Sequence, residues 1–100
     1  MVSDSSQKII SAIKKVPKGK VSTYGRIALM AGMPNGARQV VRILHTCSEK
    51  ESLPWFRIVN SSGNISLRPG SGYELQKALL TEEGVKFGLN DRIDLRKYLW

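Results

Sequence analysis

The chain holds a single cysteine, Cys47, and a single histidine, His45, among its 100 residues. One thiol excludes an internal disulfide, and with one imidazole it offers too few ligands for a closed metal site. No apolar run approaches the roughly 20 residues that a membrane-spanning helix needs. The opening segment, Met1-Val2-Ser3-Asp4-Ser5-Ser6-Gln7, lacks the basic and apolar regions of a signal peptide. A reducing, cytoplasmic setting is expected, at the nucleoid if the source is bacterial. Neither an internal repeat nor a low-complexity linker occurs, so residues 1–100 are read as one domain, a monomer without a cofactor. Acidic residues are also scarce. Eight Asp and Glu stand against 16 Lys and Arg, for a net charge of +8. That imbalance calls for a polyanionic partner. Nucleic acid comes first and an anionic membrane surface second, because no Lys/Arg cluster lies beside a long apolar face.

Apolar residues make up 41% of the chain, enough for a single core. Ile9, Ile10, Ile13 and Val16 form a stripe at helical spacing, in a helix that starts near Asp4 or Ser5. Pro17-Lys18-Gly19-Lys20 ends it. Val21-Ser22-Thr23 is a short extended piece whose hydroxyls can cap the next helix, from Tyr24 to about Ala31. Gly32-Met33-Pro34-Asn35-Gly36 is a turn, and a third helix is expected over 37–45. Two short helices around a Gly-containing turn, the second carrying Arg38 and Arg42, make a helix-turn-helix candidate. A plain helical hairpin with solvated arginines has the same pattern.

Trp55 through Val59 reads as extended. Asn60-Ser61-Ser62-Gly63-Asn64 reads as a turn and Ile65-Ser66-Leu67 as a return strand, which gives a small β-hairpin. Tyr73 to Glu83 is a helix with Leu75, Ala78 and Leu79 as its buried stripe, stopped by Gly84. Beyond Val85 no clean period survives. A short extended piece near Arg92–Leu95 is expected, with Tyr98-Leu99-Trp100 packed onto the body.

Pro54-Trp55-Phe56-Arg57-Ile58-Val59 carries the most information. It resembles the active-site loop of the O6-alkylguanine-DNA alkyltransferases, Pro-Cys-His-Arg followed by a β-branched pair. Trp55 stands in the place of the nucleophilic cysteine and Phe56 in that of the histidine that helps to activate it. An indole nitrogen is not nucleophilic at neutral pH, and a phenyl ring cannot shuttle a proton. The chain therefore resembles the alkyltransferase-like proteins, in which tryptophan replaces the cysteine. Four further matches lie in the family's order along the chain. They are Val21-Ser22-Thr23-Tyr24-Gly25-Arg26-Ile27-Ala28, Ala37-Arg38-Gln39-Val40-Val41, Asn60-Ser61-Ser62-Gly63 and Leu79-Leu80-Thr81-Glu82-Glu83-Gly84. The enzymes' extra N-terminal domain is not expected.

The resemblance implies an α+β, winged-helix-like domain with a helix-turn-helix and a small hairpin. It implies binding to double-stranded DNA through the minor groove, with O6-alkylguanine flipped into a pocket and no chemistry performed. Presentation of the lesion to nucleotide excision repair proteins would follow. Ser22, Thr23, Tyr24, Ala37, Arg38 and Arg42 would face DNA, and Tyr24, Trp55, Ile58 and Arg68 would line the pocket. Arg38 matches the arginine finger that fills the space of the extruded nucleotide, where a guanidinium can stack on neighbouring bases. Tyr24 matches the tyrosine that presses on the flipped nucleotide's phosphate. Gly36 and Ala37 are small, which would let backbone approach the groove. Arg57 is expected to brace the loop, and Glu83, deprived of a histidine, to find another basic partner. Two rivals remain open from the residues themselves. One is an alkyltransferase acting through Cys47. The other is a sequence-specific helix-turn-helix regulator, for which Gln39 and Arg42 offer few base-reading groups.

Overall fold

The computed structural model describes residues 4–100. Met1 to Ser3, the start of the opening segment, lie outside the described residues. Helix α1 (Asp4–Lys14) buries Ile9, Ile10 and Ile13 along the expected stripe, and Val16 continues it past the helix end. Strand β1 (Ser22–Thr23) leads directly into α2 (Tyr24–Met30), whose first turn is capped by Thr23: its Oγ1 accepts the Arg26 amide at 3.2 Å. A turn through Gly36 then starts α3 (Ala37–Glu51). Helices α1, α2 and α3 pack on one another around the first of two apolar clusters.

Helix α3 outruns its expected end at His45 by six residues, to Glu51. The added stretch, Thr46-Cys47-Ser48-Glu49-Lys50-Glu51, lacks an apolar period and looks like a loop. Its hydroxyls are satisfied within the helix, Thr46 donating to the Arg42 carbonyl at 2.9 Å and Ser48 to that of Leu44. Glu51 pairs with Lys14 of α1 at 3.5 Å, and Ser52 closes the helix in the left-handed region at φ 53°.

The expected extended run from Trp55 begins instead as a 3-10 turn, Trp55–Arg57, and only then becomes β2 (Ile58–Val59). Strand β2 pairs in parallel with β1, Ser22 opposite Ile58 and Thr23 opposite Val59. Successive strand residues face opposite sides. Ile58 accordingly joins the first cluster, and Val59 the second, with Val21, Leu80, Val85, Ile93 and Tyr98. Two residues of strand thus knit both halves of the core.

The hairpin after the loop is present as its turn, closed by the Asn60 amide donating to the Asn64 carbonyl at 3.0 Å. The return limb Ile65-Ser66-Leu67 forms no strand. Gln76 supplies the reason: its side-chain amide donates to the carbonyls of Phe56 and Ile58, at 3.0 and 3.1 Å, on backbone that a return strand could have used. The same contact resets α4 (Tyr73–Glu82). Its buried positions are Gln76 and Leu80, while Leu75 and Ala78 are exposed and Leu79 is half-buried, so the expected Leu75–Ala78–Leu79 stripe is displaced by one residue. Satisfying two loop carbonyls outweighs burying one leucine.

Beyond Val85 the extended piece shrinks to an antiparallel bridge between Phe87 and Ile93. Asp94 caps the short α5 (Leu95–Tyr98) through the Arg96 amide at 3.0 Å. Leu99 then bridges Val21 on the other side of β1, Tyr98 is buried, and Trp100 packs on the first cluster. Gly63 sits at φ +84°, donates to Asn60 and accepts from Ile93 at 2.8 Å, and a Cβ there would collide with the Ile93 carbonyl. Gly63→Ala is therefore expected to destabilise the fold by at least about 2 kcal/mol, read as a lowered urea midpoint with an unchanged slope.

Candidate nucleic-acid interface

The loop that carries Trp55 is held from three sides. Arg57 is the main brace: its Nε donates to Glu83 Oε1 at 3.0 Å, Nη2 to Oε2 at 2.5 Å, and Nη1 to the Val16 carbonyl at 2.9 Å. Glu83 Oε1 also accepts the Gly19 amide at 3.2 Å. The Arg57 hydrogen bonds, joined by the Gly19 amide and the positive charges of Arg57 and Lys18, hold the Glu83 carboxyl below its ordinary titration range against the opposing effect of burial. The expected basic partner of Glu83 is thus Arg57, and the expected bracing role of Arg57 is observed. Gln76 fixes the loop from α4. Phe56 anchors it inward, half-buried against the second cluster, edge-on to Trp55 at 5.9 Å with the Arg57 guanidinium 5.3 Å from its centroid.

Held in this way, Trp55 forms one wall of a pocket of about 580 Å³. Tyr24, at the start of α2, and Ile58 contribute as expected. Arg68 does not line the pocket and is exposed; its neighbour Leu67 reaches the wall instead. Adjacent residues of this segment face different ways, and the buried Ile65 sets which one turns inward. The opposite wall is a face of α3 that begins with Val41 and Leu44 and continues past His45. The sequence reading missed this wall because it ended α3 too early. Extending the spacing of three and four from Val41 would have found it. Gln76 was missed for a different reason, since no sequence signal marks a glutamine that will bond to backbone.

Arg38 and Arg42 lie four apart on α3, exposed and without an ion pair among the described residues. Ala37 is half-buried in the first turn. Gly36 serves packing and not groove approach: it is buried, and a Cβ there would press on Met33 at 3.0 Å. Ser22 needs a second correction. Its side chain is wholly buried in β1 and its hydroxyl has no hydrogen-bond partner among the described residues, so it cannot touch a phosphate. Thr23 remains partly accessible but spends its oxygen on the helix cap. Cys47 packs against the first cluster with the Thr46 hydroxyl 3.5 Å away and does not line the pocket. Among the described residues no three His, Cys, Asp or Glu gather as a metal site, and no helix is long and apolar enough to cross a membrane.

Comparison with known proteins agrees with this geometry. A family model described as 6-O-methylguanine DNA methyltransferase, DNA binding domain, matches residues 4–85. The chain is 49% identical over 92 residues to a DNA base-flipping protein of Vibrio parahaemolyticus, covering 92% of this chain and 91% of that one. It is 41% identical over 98 residues to alkyltransferase-like protein 1 of Schizosaccharomyces pombe, covering 93% and 91%. A crystal structure of S. pombe Atl1 in complex with damaged DNA containing O6-carboxymethylguanine superposes with a TM-score of 0.87 at 39% identity, over 100% of this chain and 98% of that one.

Proposed function

This chain belongs to the 6-O-methylguanine DNA methyltransferase family, in its alkyltransferase-like, base-flipping branch, and from that premise we propose that it reads O6-alkylguanine in duplex DNA without repairing it. One observation carries the reading: the pocket wall formed with Tyr24 is the indole of Trp55, where a nucleophile would have to stand. The indole offers a stacking surface for an extruded base, worth ~1–3 kcal/mol, and blocks attack on its substituent. Tyr24, at the start of α2, presses on the phosphate of the flipped nucleotide. Arg38, exposed at the start of α3, takes the space the base leaves, and Arg42 and the remaining positive charge supply affinity for any duplex. Binding in the minor groove reads little sequence, which suits a search for damage in any context. The protein acts as a monomer, and since binding mends nothing, the lesion passes to nucleotide excision repair proteins.

Titration of one duplex with and without a single O6-methylguanine tests the reading, and preference for the lesion is the expected result. A radiolabel on the O6-methyl group should stay on DNA; stoichiometric transfer to protein, removed by Cys47→Ala, would make this an enzyme. Arg38→Ala should cut the preference for damaged DNA about tenfold, as expected for loss of one desolvated stacking cation. Lysine substitutions elsewhere should weaken all duplexes alike. The salt slope should become shallower by about 0.9 for each phosphate that is no longer neutralised.

A further inference from the structure

The pocket carries a charge opposite to that of the protein. Although the chain's net charge is +8, among the described residues no lysine or arginine lines the pocket, and the one formal charge on its wall is the carboxylate of Glu49. That carboxylate has no ion pair or side-chain hydrogen bond among the described residues. The wall along α3 also changes character. Val41 and Leu44 are apolar; His45, Ser48 and Glu49 follow on the same face. From Val41 to Glu49 the helix advances about 12 Å at ~1.5 Å per residue. This is more length than a base edge bearing a methyl group needs.

We propose that the Glu49 end of this groove receives the O6 substituent and sorts it by charge, accepting neutral hydrogen-bonding or cationic groups and disfavouring anionic ones. The inference rests on the lesion-reading function proposed above. Guanine itself is neutral, so a carboxylate at the groove's end does not oppose the base. An anionic substituent would approach Glu49 as a like charge in a partly desolvated groove, where repulsion survives better than in open water. Glu49 is exposed, so salt screens part of the effect.

Four duplexes differing at one nucleotide test the proposal: guanine, O6-methylguanine, O6-(carbamoylmethyl)guanine and O6-(carboxymethyl)guanine. The amide and the acid have nearly the same shape and differ by one charge. Dissociation constants from fluorescence anisotropy at low salt should be about fivefold weaker for the acid than for the amide. General attraction between DNA and a basic protein has the opposite sign, since the acid adds a negative charge, so it cannot produce this preference. Glu49→Gln should bring the ratio close to one and Glu49→Lys should invert it. Glu51→Gln, at a carboxylate paired with Lys14 and outside the pocket, should leave it unchanged. An acid bound as tightly as the amide, or a ratio that survives Glu49→Gln, overturns the inference. If all three lesions bind better than guanine but without regard to charge, this inference alone falls. If all four duplexes bind alike, the lesion reading falls and takes the inference with it.

Discussion

Glu83→Ala is expected to cost about 3 kcal/mol, within the range for breaking a buried ion pair from one side. The side chains of Arg57 and Glu83 are 17% and 9% exposed, so water compensates little for the lost partner. Removal of the carboxylate leaves the guanidinium with the Val16 carbonyl and the Phe56 ring but no counter-charge among the described residues, and leaves the Gly19 amide unanswered. For a domain of this size the melting temperature should fall by about 10–20 °C. Arg57→Ala should cost a similar amount, and the double variant much less than the sum, because both singles break one pair. The pH dependence carries a sign. The folded-state carboxyl is held below its ordinary range, first by its hydrogen bonds from Arg57. Its contribution is therefore complete above the ordinary carboxylate range and is lost as pH falls through the depressed folded value. The gap in stability between the parent and Glu83→Gln should be widest near neutrality and close in acid. A gap that stayed constant from pH 7 to pH 3 would show that the charge of Glu83 does not brace the loop.

Trp55→Ala should remove most of the preference for O6-methylguanine, about 5- to 150-fold in relative affinity, as stacking of ~1–3 kcal/mol implies. Trp55 is only half-buried, and the loop beneath it is held by Arg57, Gln76 and Phe56, so the site should keep its shape. Anisotropy titrations on damaged and undamaged duplexes give the ratio directly; an unchanged ratio would show that the indole is not the stacking wall. Trp55→Cys asks the complementary question. A thiol with its ordinary pKa near 8.5 is only a few per cent thiolate at neutral pH, so trace transfer that rises with pH is expected. Adding Phe56→His should raise transfer, but by a limited amount. Both oxygens of Glu83 already accept from Arg57, which leaves the carboxylate poorly placed to orient a new imidazole. Single-turnover transfer from O6-methylguanine DNA by both variants would measure this, and a single variant as fast as the double would show the histidine to be dispensable.

Local pattern was enough for much of the fold. The stripe from Ile9 to Val16, the cap at Thr23 and the turn before Ala37 all depend on residues within a few positions of one another, where spacing and side-chain chemistry act directly. The absence of a nucleophile from the Pro54–Val59 loop was legible for the same reason, because it is a matter of residue type. Where the reading erred, polar groups had found partners that apolar spacing does not show. Helix α3 continues to Glu51 because Lys14 and the helix's own carbonyls satisfy a polar stretch. Helix α4 turns Gln76 inward and Leu75 outward because the carbonyls of Phe56 and Ile58 need a donor.

The sequence by itself determined the absence of a nucleophile from the 54–59 loop, the excess of positive charge and the order of the first four helices. Each follows from composition or from neighbours within one turn of chain. Only the tertiary structure decided what surrounds Trp55. It withdrew Ser22 into the core and left Arg68 outside the pocket. It bound Glu83 to Arg57, and it gave a basic protein a pocket whose one formal charge, among the described residues, is that of Glu49. Those outcomes depend on groups separated by tens of residues competing for the same space and the same hydrogen bonds. No local pattern encodes that competition, because its result is set by which polar groups would otherwise be buried without a partner.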